Sequence, residues 1–374
     1  MTLLFTVTND LSYDQRMHRI CSALAEAGHR VVLVGRALPH SIALKDRVFS
    51  QVRLPCHFRK GFLFYAEYNL RLFLFLLKTP CDAVCSIDLD TLPAGWLATV
   101  LRRKRRVFDA HEYFTQAPEV VGRPLVQAFW QGVARLCLPA YRHAYTVGPG
   151  LARIFQEKYG IPFGVVRNVP SSRPAGHAGG GKRAAAAGRL REGEKYLLYQ
   201  GALNMGRGIE ALLDALPGLQ GVHLLLAGEG DLSAELRARA EALGIGGQLT
   251  FLGYVEPEEL RDLTECAWLG LNLLENRGLS YYYSLANKFF DYVQAEVPVL
   301  TMDFPEYRAL QAEHEVAVLL DRLEPAAIAA AIRDLLEQPA RYAALRAHCC
   351  AARDLWCWER EKQVLLRIWA QALA

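Results

Sequence analysis

One stretch indicates the fold of this chain better than any other: Leu274-Glu-Asn-Arg-Gly-Leu-Ser-Tyr-Tyr-Tyr-Ser-Leu-Ala-Asn-Lys-Phe-Phe-Asp-Tyr-Val-Gln-Ala-Glu-Val-Pro-Val-Leu300. It begins at the end of an apolar segment that is predicted to be a strand, and it passes through a polar loop with one glycine and three consecutive tyrosines. A helix is predicted over residues 284–295 and a second strand over residues 297–302. This order is typical of a ligand-binding βαβ unit, in which the ligand lies at the carboxyl ends of strands and the amino ends of helices.

Four polar residues fall where such a ligand would meet the predicted helix: Ser280, Asn287, Lys288 and Asp291. A lysine and an aspartate three residues apart, beside a loop of this composition, are not required by packing and indicate a polar ligand. The alternative is a solvated Lys–Asp pair on the surface of a helix, which is a common arrangement without any ligand.

Length and composition favour two globular domains. The chain has 374 residues, of which 52% are hydrophobic and 22% charged, enough apolar content for two cores. No secretory signal is predicted, because residues 1–8 lack a basic leader and are predicted to form a first strand. The nine cysteines are odd in number and scattered, which indicates reduced thiols in a cytoplasmic protein.

The net charge of +4 hides an asymmetry between the two halves of the chain. Residues 1–180 carry 23 Lys and Arg against 12 Asp and Glu, whereas residues 181–374 carry 20 against 27. The basic half, with the run Arg102-Arg-Lys-Arg-Arg106, indicates an anionic partner such as a phospholipid surface. Nucleic acid is disfavoured because the basic residues lack interleaved aromatics. The run also connects a predicted helix to a strand, so a solvated connection is an equal alternative.

Strands and helices alternate along the whole chain, which is typical of parallel sheets. Residues 1–170 are predicted to form one doubly wound α/β domain and residues 195–350 a second. The Ser-, Pro-, Gly- and Ala-rich residues 171–194 are predicted to link them, and residues 351–374 to form a C-terminal helix. The helix predicted over residues 62–78 is apolar on nearly every face, which indicates either burial, our prediction, or contact with lipid.

Glycine-rich turns follow several strands of the second half. In Gln200-Gly-Ala-Leu-Asn-Met-Gly-Arg-Gly208 the glycines allow a ligand close to the main chain, and Arg207 supplies a charged fork suited to a diphosphate. The turns at Gly228-Glu229 and at Tyr254 fit either a nucleobase wall or ordinary turn chemistry.

In the first half, His111 follows a predicted strand with Asp109 and Glu112 beside it, so it is predicted to face a cleft between the domains. Asp88-Leu-Asp90 has the pattern of a metal-binding Asp-x-Asp. No second carboxylate cluster supports a metal there, and none is predicted.

Taken together, these residues resemble the retaining, nucleotide-sugar-dependent glycosyltransferases of family 4, group 1, over essentially the whole chain. The segments that carry the resemblance are Thr8-Asn-Asp-Leu-Ser-Tyr-Asp-Gln-Arg16, Phe108-Asp-Ala-His-Glu-Tyr113, Thr146-Val-Gly-Pro-Gly-Leu151, Val166-Arg-Asn-Val169, Tyr199-Gln-Gly-Ala-Leu203, Gly206-Arg-Gly208, Leu226-Ala-Gly-Glu-Gly230 and residues 285–299.

The resemblance implies the GT-B fold, two Rossmann-like doubly wound domains facing each other across a cleft. The first would bind the acceptor and the second the donor, and the C-terminal helix would pack back toward the first. It implies transfer from a UDP- or GDP-sugar to a glycan or lipid-linked glycan in cell-surface polysaccharide synthesis, without metal or other cofactor. The enzyme would be cytoplasmic, with peripheral contact at the inner face of the membrane through its basic half.

The resemblance also implies roles for particular residues. His111, Arg207 and Lys288 would be catalytic, with Arg207 and Lys288 on the diphosphate and Asp291 on the ribose. The acceptor side would be bordered by Asn9, Asp10, Asp14 and Arg16. The residues expected around the donor are Gly201, Ala202, Gly228, Glu229, Tyr254, Glu275, Gly278, Leu279, Ser280, Asn287 and Asp291.

The chain departs from the family pattern at five positions. Arg207 stands where the family usually has Lys, and Asp291 aligns with the second of two Glu that are separated by seven residues. Glu275 lies too far upstream to be the first of that pair, so its contact with the sugar stays open. Ala286 replaces a common Pro and Glu296 a common Gly.

Two other functions stay open on the sequence. A non-hydrolysing sugar-nucleotide epimerase shares the two-domain fold, and it would isomerise the donor in the absence of an acceptor. A non-catalytic, membrane-associated scaffold with a degenerate sugar-nucleotide site would bind a uridine or guanosine diphosphate without turnover.

Overall fold

The computed structural model describes residues 1–39, 41–172 and 193–374. Most of the predicted linker, residues 171–194, lies outside these described residues. The chain divides into two compact units. Unit 1 comprises Met1–Arg167, Gly278–Ser284 and Glu361–Ala374, and unit 2 comprises Asn168–Arg277 and Leu285–Arg360.

In unit 1, seven parallel strands form one sheet in the order β3-β2-β1-β4-β5-β6-β7. The central strands are apolar along their whole length, because helices on both faces of a parallel sheet bury every side chain. The strands are β1 (Thr2–Thr6), β2 (Arg30–Arg36), β3 (Ser50–Leu54), β4 (Ala83–Ile87), β5 (Arg105–Ala110), β6 (His143–Thr146) and β7 (Phe163–Val165).

The sheet order of unit 1 reverses at β1, which pairs with β2 on one side and β4 on the other. Leu3 lies opposite Val31 and Ala83 in these two pairings. Such a switch point opens a crevice at the carboxyl ends of the strands. The helices of residues 1–167 are Gln15–Glu26, Gly61–Lys78, Asp88–Leu101, Pro118–Val121, Pro124–Cys137 and Pro149–Tyr159.

The end of the chain completes the core of unit 1. Trp369 is buried and lies with its ring centroid 5.1 Å from that of Phe5 in β1. Ile368 packs closely on β7, where a Cβ at Gly164 would come within 2.6 Å of it. Residues 361–374 therefore contribute apolar side chains to the sheet that the first residues of the chain begin.

In unit 2, six parallel strands form a sheet in the order β10-β9-β8-β11-β12-β13, so the switch point lies between β8 and β11. The strands are β8 (Lys195–Gln200), β9 (Val222–Ala227), β10 (Leu249–Gly253), β11 (Leu269–Asn272), β12 (Val299–Met302) and β13 (Ala317–Leu320). The helices are Ile209–Ala215, Ser233–Ala242, Pro257–Cys266, Asn287–Gln294, Pro305–Glu313, Pro325–Glu337 and Pro339–Arg353, and a last helix, Trp358–Leu373, begins here and continues into unit 1.

The predicted pair of Rossmann-like domains with parallel sheets is confirmed, with differences in three helices. The helix predicted over residues 284–295 starts at Asn287, and Leu279–Tyr282 forms a separate short helix in unit 1. The chain is extended at Ala286, whose N–H donates to the hydroxyl of Tyr307 at 3.0 Å, so a helix cannot run through this position. The predicted tail helix over residues 351–374 is also interrupted, because Pro339–Arg353 ends before Trp358–Leu373 begins.

The third difference concerns helix Gly61–Lys78, for which we predicted burial. Four of its side chains are buried, whereas Phe62, Leu63, Leu70 and Leu74 are exposed. Among the described residues, no helix is both long and apolar enough to cross a membrane.

Candidate functional site

In unit 2, the turn after β8 brings a lysine against the main chain. Gly201 has φ +126, a conformation that favours glycine, and a Cβ there would lie 3.3 Å from Nζ of Lys288. The same ammonium lies 3.7 Å from the ring centroid of Tyr199, the penultimate residue of β8. The carboxyl end of β8 and the start of helix Asn287–Gln294 thus lie next to each other.

The glycine turns after β8, β9 and β10 contact one another through the main chain. Gly201 donates its N–H to the carbonyl of Ala227 at 2.9 Å, and Gly228 donates to the carbonyl of Gly253 at 2.8 Å. A Cβ at Gly228 would lie 2.0 Å from the carbonyl oxygen of Gly201, so no other residue fits without displacing the backbone. This packing gives a continuous main-chain surface at the carboxyl ends of three strands.

The charges around Lys288 are unbalanced in favour of cations. Burial lowers the pKa of Lys288 well below its ordinary value, and the repulsion of Arg207 lowers it further, while Asp291 opposes both. Two cations brought this close are stabilised by an anion placed between them. The arrangement can therefore bind a phosphate or diphosphate and hold Lys288 charged when it is bound.

Asp291 is held in place by the buried side-chain amide of Gln200, a residue that no sequence motif predicted for the site. The Nε2 of Gln200 donates to Oδ2 of Asp291 at 3.0 Å, and the hydroxyl of Thr264 donates to Oε1 of Gln200 at 3.0 Å. The N–H of Gln200 also lies 3.3 Å from the hydroxyl oxygen of Tyr292. The sequence shows a polar residue, Gln200, at the end of an apolar strand. Its partner Asp291 lies 91 positions away, so the sequence does not show their contact.

Three of the predicted donor residues border the glycine turns. The carbonyl of Ala202 accepts from the hydroxyl of Tyr199 at 2.8 Å, which fixes the turn after β8. Glu229 lies 3.3 Å from a guanidinium nitrogen of Arg237, and Tyr254 is exposed directly after β10. They are placed at the same edge of the sheet as Lys288.

Two more predicted donor residues already have partners within unit 2. Asn287 is the first residue of helix Asn287–Gln294, which we call the lysine helix because it carries Lys288. Its side-chain oxygen accepts from the side-chain amide of Asn168 at 2.6 Å. The carboxylate of Glu275 binds Nε of Arg277, and its N–H donates to the carbonyl of Gly206 at 3.0 Å. Glu275 thus ties two loops of unit 2 together.

The remaining donor residues, Gly278, Leu279 and Ser280, belong to unit 1. The hydroxyl of Ser280 donates to Oε2 of Glu112 at 3.2 Å. Gly278 has φ +92, and a Cβ there would lie 2.7 Å from the carbonyl oxygen of Gln116. The prediction grouped these residues with the second domain because they are adjacent to it in sequence.

In unit 1, His111 lies between two carboxylates at the carboxyl ends of β4 and β5. The ring atom Nε2 of His111 is 3.2 Å from Oδ2 of Asp109, and its Nδ1 is 3.8 Å from Oδ2 of Asp88. The main-chain N–H of His111 donates to Oδ1 of Asp88 at 2.8 Å. Burial disfavours the imidazolium, but Asp109 and Asp88 outweigh it and raise the pKa of His111 to about 8. His111 is therefore a proton donor at neutral pH.

Asp109 is fully buried and binds a second cationic side chain besides that of His111. A guanidinium nitrogen of Arg16 lies 2.9 Å from its Oδ1, and Arg16 also donates to the carbonyl of Val166 at 2.9 Å. The pKa of Asp109 is lowered, because Arg16 and His111 together outweigh the cost of burial. Arg16 was predicted beside the acceptor, but its guanidinium is buried and points to Asp109.

The other predicted acceptor residues shape the loop between β1 and the first helix. Asp14 caps that helix by accepting from the N–H of Met17, and Asn9 donates to Asp14 at 2.6 Å. Asp10 accepts from the N–H of Ser12 at 3.0 Å. These contacts account for the polar residues of the loop in structural terms and leave an acceptor contact as a prediction.

Asp88 and Asp90 form the carboxylate pair that the sequence shows as Asp-x-Asp. Burial raises the pKa of Asp88 to about 8 and that of Asp90 to about 6. Asp90 accepts from the hydroxyl of Thr8 at 2.5 Å. Over the described ranges, no group of three or more His, Cys, Asp or Glu side chains could hold a metal ion.

Comparison with known proteins identifies the class. Residues 15–171 match the family model described as Glycosyltransferase Family 4, and residues 182–349 match that of Glycosyl transferases group 1. Between them the two models span most of the chain, one on each half. The chain belongs to the family 4 glycosyltransferases and has the GT-B fold.

A curated relative, an uncharacterized glycosyltransferase of Methanocaldococcus jannaschii, is 33% identical over 81 residues, which are 21% of each chain. Among solved structures, sucrose-phosphate synthase from Thermosynechococcus elongatus has a TM-score of 0.80 at 16% identity and covers 99% of this chain and 98% of its own. The Anabaena protein HepE in complex with UDP-glucose has a TM-score of 0.78 at 15% identity, covering 99% and 100%. WaaG, a glycosyltransferase involved in lipopolysaccharide biosynthesis, has a TM-score of 0.76 at 17% identity, covering 97% and 99%.

Proposed function

We propose that this glycosyltransferase moves a sugar, with retention of the anomeric configuration and without a metal ion, from a UDP- or GDP-sugar to a hydroxyl of a glycan or lipid-linked glycan. The observation that carries the proposal is the position of the Lys288 ammonium, against the main chain of Gly201 and close enough to Arg207 to be repelled by it. The complex of HepE with UDP-glucose supports the donor class.

The leaving diphosphate takes up negative charge as the bond from the sugar breaks. Lys288 and Arg207 supply fixed positive charge for that oxygen, which lowers the barrier in the way a metal ion does elsewhere. Asp291, oriented by Gln200, accepts hydrogen bonds from the ribose hydroxyls. The donor is thereby bound by its ribose and activated at its diphosphate.

The acceptor side uses His111 as a hydrogen-bond donor to the sugar. We propose a front-face reaction, because no carboxylate is assigned as a covalent nucleophile. The bond from the anomeric carbon to the diphosphate oxygen breaks, the bond to the acceptor oxygen forms on the same face, and the acceptor proton passes to the leaving diphosphate. Atoms and charge balance without a further reactant.

For the acceptor, we propose a lipid-linked glycan in the synthesis of cell-surface polysaccharide. The excess of basic residues over residues 1–180 suits an enzyme that works in peripheral contact with the cytoplasmic face of a membrane. The role of WaaG in lipopolysaccharide biosynthesis supports the same class of product.

The test compares two lysine variants of unit 2. Lys288→Ala removes the cation at Gly201, whereas Lys195→Ala removes a lysine that lies 5.2 Å from the ring centroid of Trp268 at the other end of β8. We expect Lys288→Ala to lower the transfer rate by about 100-fold or more and to weaken UDP or GDP binding. Lys195→Ala should leave both near the wild-type values.

A panel of UDP- and GDP-sugars in a thermal-shift assay selects the donor, because a tightly bound ligand raises the melting temperature. The anomeric configuration of the product, read by NMR, and turnover in the presence of a chelator test the two remaining features. Near-normal turnover of Lys288→Ala would remove the basis of the assignment. Isomerisation of the donor without acceptor would indicate the epimerase reaction instead.

A further inference from the structure

We propose that unit 1 docks on an anionic lipid bilayer through the exposed faces of helices Gly61–Lys78 and Pro124–Cys137. This proposal identifies the surface through which the enzyme would contact the membrane. It rests on the proposed function, because a lipid-linked acceptor would bring the enzyme to a bilayer. The surface itself follows from the exposure and charge of the two helices. We call it the apolar face.

Helix Gly61–Lys78 is apolar on two opposite sides. Phe64, Tyr68, Leu72 and Leu76 recur at every fourth position and are buried in unit 1. A second stripe also recurs at every fourth position and lies at the surface: Phe62, Ala66, Leu70 and Leu74.

This outer stripe is large and apolar where water-facing positions are normally polar. Phe62 is 69% exposed and Leu70 is 59% exposed. A helix at the surface of a globular protein ordinarily has a polar outer face. Contiguous exposed apolar side chains of this size mark a surface that meets another apolar phase.

Helix Pro124–Cys137 presents a second apolar stripe beside the first. Its inner side is buried through Trp130 and Ala134, whereas Leu125 is 86% and Leu136 is 66% exposed. Phe129, also exposed, has its ring centroid 6.1 Å from that of Phe62. This ring contact joins the two helices into one apolar face.

A third helix, Asp88–Leu101, ends beside the end of helix Gly61–Lys78 and also exposes apolar side chains. The guanidinium of Arg102 donates to the carbonyl of Thr79 at 2.7 Å, which ties the end of helix Asp88–Leu101 to the end of helix Gly61–Lys78. Leu97, Val100 and Leu101 are exposed there.

Each of the two docking helices has a net positive charge. Helix Pro124–Cys137 contains no Asp or Glu, and helix Gly61–Lys78 contains Glu67 alone. The carboxylate of Glu67 is held by Arg71 at 2.8 Å and by the N–H of Phe58 at 2.9 Å, so it is already neutralised. Exposed cations border the helices: Arg59, Lys60, Lys78, Arg123 and Arg135.

This combination selects lipid over a second copy of the chain. In a symmetric dimer the same patch would meet itself, and its bordering cations would repel one another. An anionic bilayer supplies hydrocarbon for the leucine and phenylalanine side chains and negative headgroups for the cations. Both features of the apolar face are then satisfied by one partner.

The experiment is flotation of the full chain with vesicles of phosphatidylcholine alone or mixed with phosphatidylglycerol. The double variant Leu70→Gln/Leu74→Gln removes two exposed leucines of the apolar face. Leu355→Gln is the matched control, since Leu355 is exposed in unit 2. Arg59→Gln/Lys60→Gln tests the charges separately.

We expect the wild type and Leu355→Gln to float with the mixed vesicles, more weakly with phosphatidylcholine alone, and less as salt is raised. Leu70→Gln/Leu74→Gln should lower the bound fraction roughly tenfold or more, because two apolar side chains no longer enter the bilayer. Arg59→Gln/Lys60→Gln should reduce the preference for the mixed vesicles.

Wild-type protein that stays in solution with the mixed vesicles would overturn the proposal, as would a double variant that floats like the wild type. A wild-type dimer in analytical ultracentrifugation that Leu70→Gln/Leu74→Gln dissociates would instead assign the face to self-association. UDP binding by the same variants keeps the two proposals separate. Failure to float leaves the donor site intact, and loss of turnover in Lys288→Ala leaves flotation intact.

Discussion

Asp88 has a backbone conformation that few residues other than glycine adopt, and it lies in an environment that disfavours its ionised form. Its φ is +53, in the left-handed region that Asp and Asn tolerate better than most residues. Its carboxylate is largely buried and holds the N–H of His111. Strain and burial of this kind concentrate at functional sites, where the fold maintains them against their cost.

The pH dependence of stability follows from two raised pKa values. The pKa of Asp88 rises from 3.8 to about 8 on folding, so the stability that its bound proton contributes is fully present below pH 3.8 and is lost as pH rises through 8. The pKa of His111 also rises, from 6.5 to about 8, so its stabilising charge is present below 6.5 and lost as pH rises through 8. Both groups therefore make unit 1 less stable between pH 6.5 and 8.

We predict that Asp88→Asn weakens this dependence. Asn keeps the acceptor for the N–H of His111 and tolerates the left-handed conformation, but it has no proton to lose. Relative to the wild type, the free energy of unfolding of the variant should improve between pH 5 and 8 by on the order of 1 kcal/mol or more. Urea titrations at several pH values measure it, and parallel profiles for the two proteins would contradict it.

Among the elements, helix Asn287–Gln294 carries Lys288 and Asp291, and the residue two positions after its end has a positive φ. Glu296 has φ +59, at the position where the family commonly has Gly. Its carboxylate pairs with Arg353 at 2.5 Å, an ion pair that a glycine could not make. The unusual residue is thus strained in its backbone and compensated through its side chain.

We predict that Glu296→Gly is more stable than Glu296→Ala by about 1 kcal/mol. Both variants lose the ion pair with Arg353, so their difference isolates the backbone, which only glycine adopts at low cost. Urea denaturation of the two variants gives the comparison. Equal midpoints would show that Glu296 carries no backbone strain.

At the scale of the whole molecule, each unit closes its core with a tryptophan from the last part of the chain. In unit 1 Trp369 packs on Phe5 in β1. In unit 2 Trp356 is buried against Phe289 and Phe290 of the lysine helix. Thirteen positions separate the two side chains, but they belong to different cores.

We predict that alanine at these two positions destabilises different units. Trp369→Ala and Trp356→Ala each remove a buried indole, at a cost of about 3 kcal/mol or more. Hydrogen exchange should rise in Thr2–Thr6 for Trp369→Ala and in Asn287–Gln294 for Trp356→Ala. The variants are controls for each other, and the same exchange pattern in both would contradict the division into two units.

The two Rossmann-like domains with parallel sheets could be predicted from the sequence alone. Strands and helices alternate along both halves of the chain, as the sequence predicts. These signals are local, because a buried parallel strand is apolar along its length. The placement of Lys288 and Gly201 together at the donor diphosphate was implied by the resemblance to the glycosyltransferase family, and their contact with a donor stays a prediction.

Contacts between residues far apart in the chain could be found only from the folded structure. The pairing of Arg16 with Asp109, the support of Asp291 by Gln200, and the membership of Ser280 in unit 1 each join residues far apart in the chain. It also decided that helix Gly61–Lys78 has an uncovered apolar stripe. Periodicity shows which side chains are apolar, but only packing determines which of them another element covers.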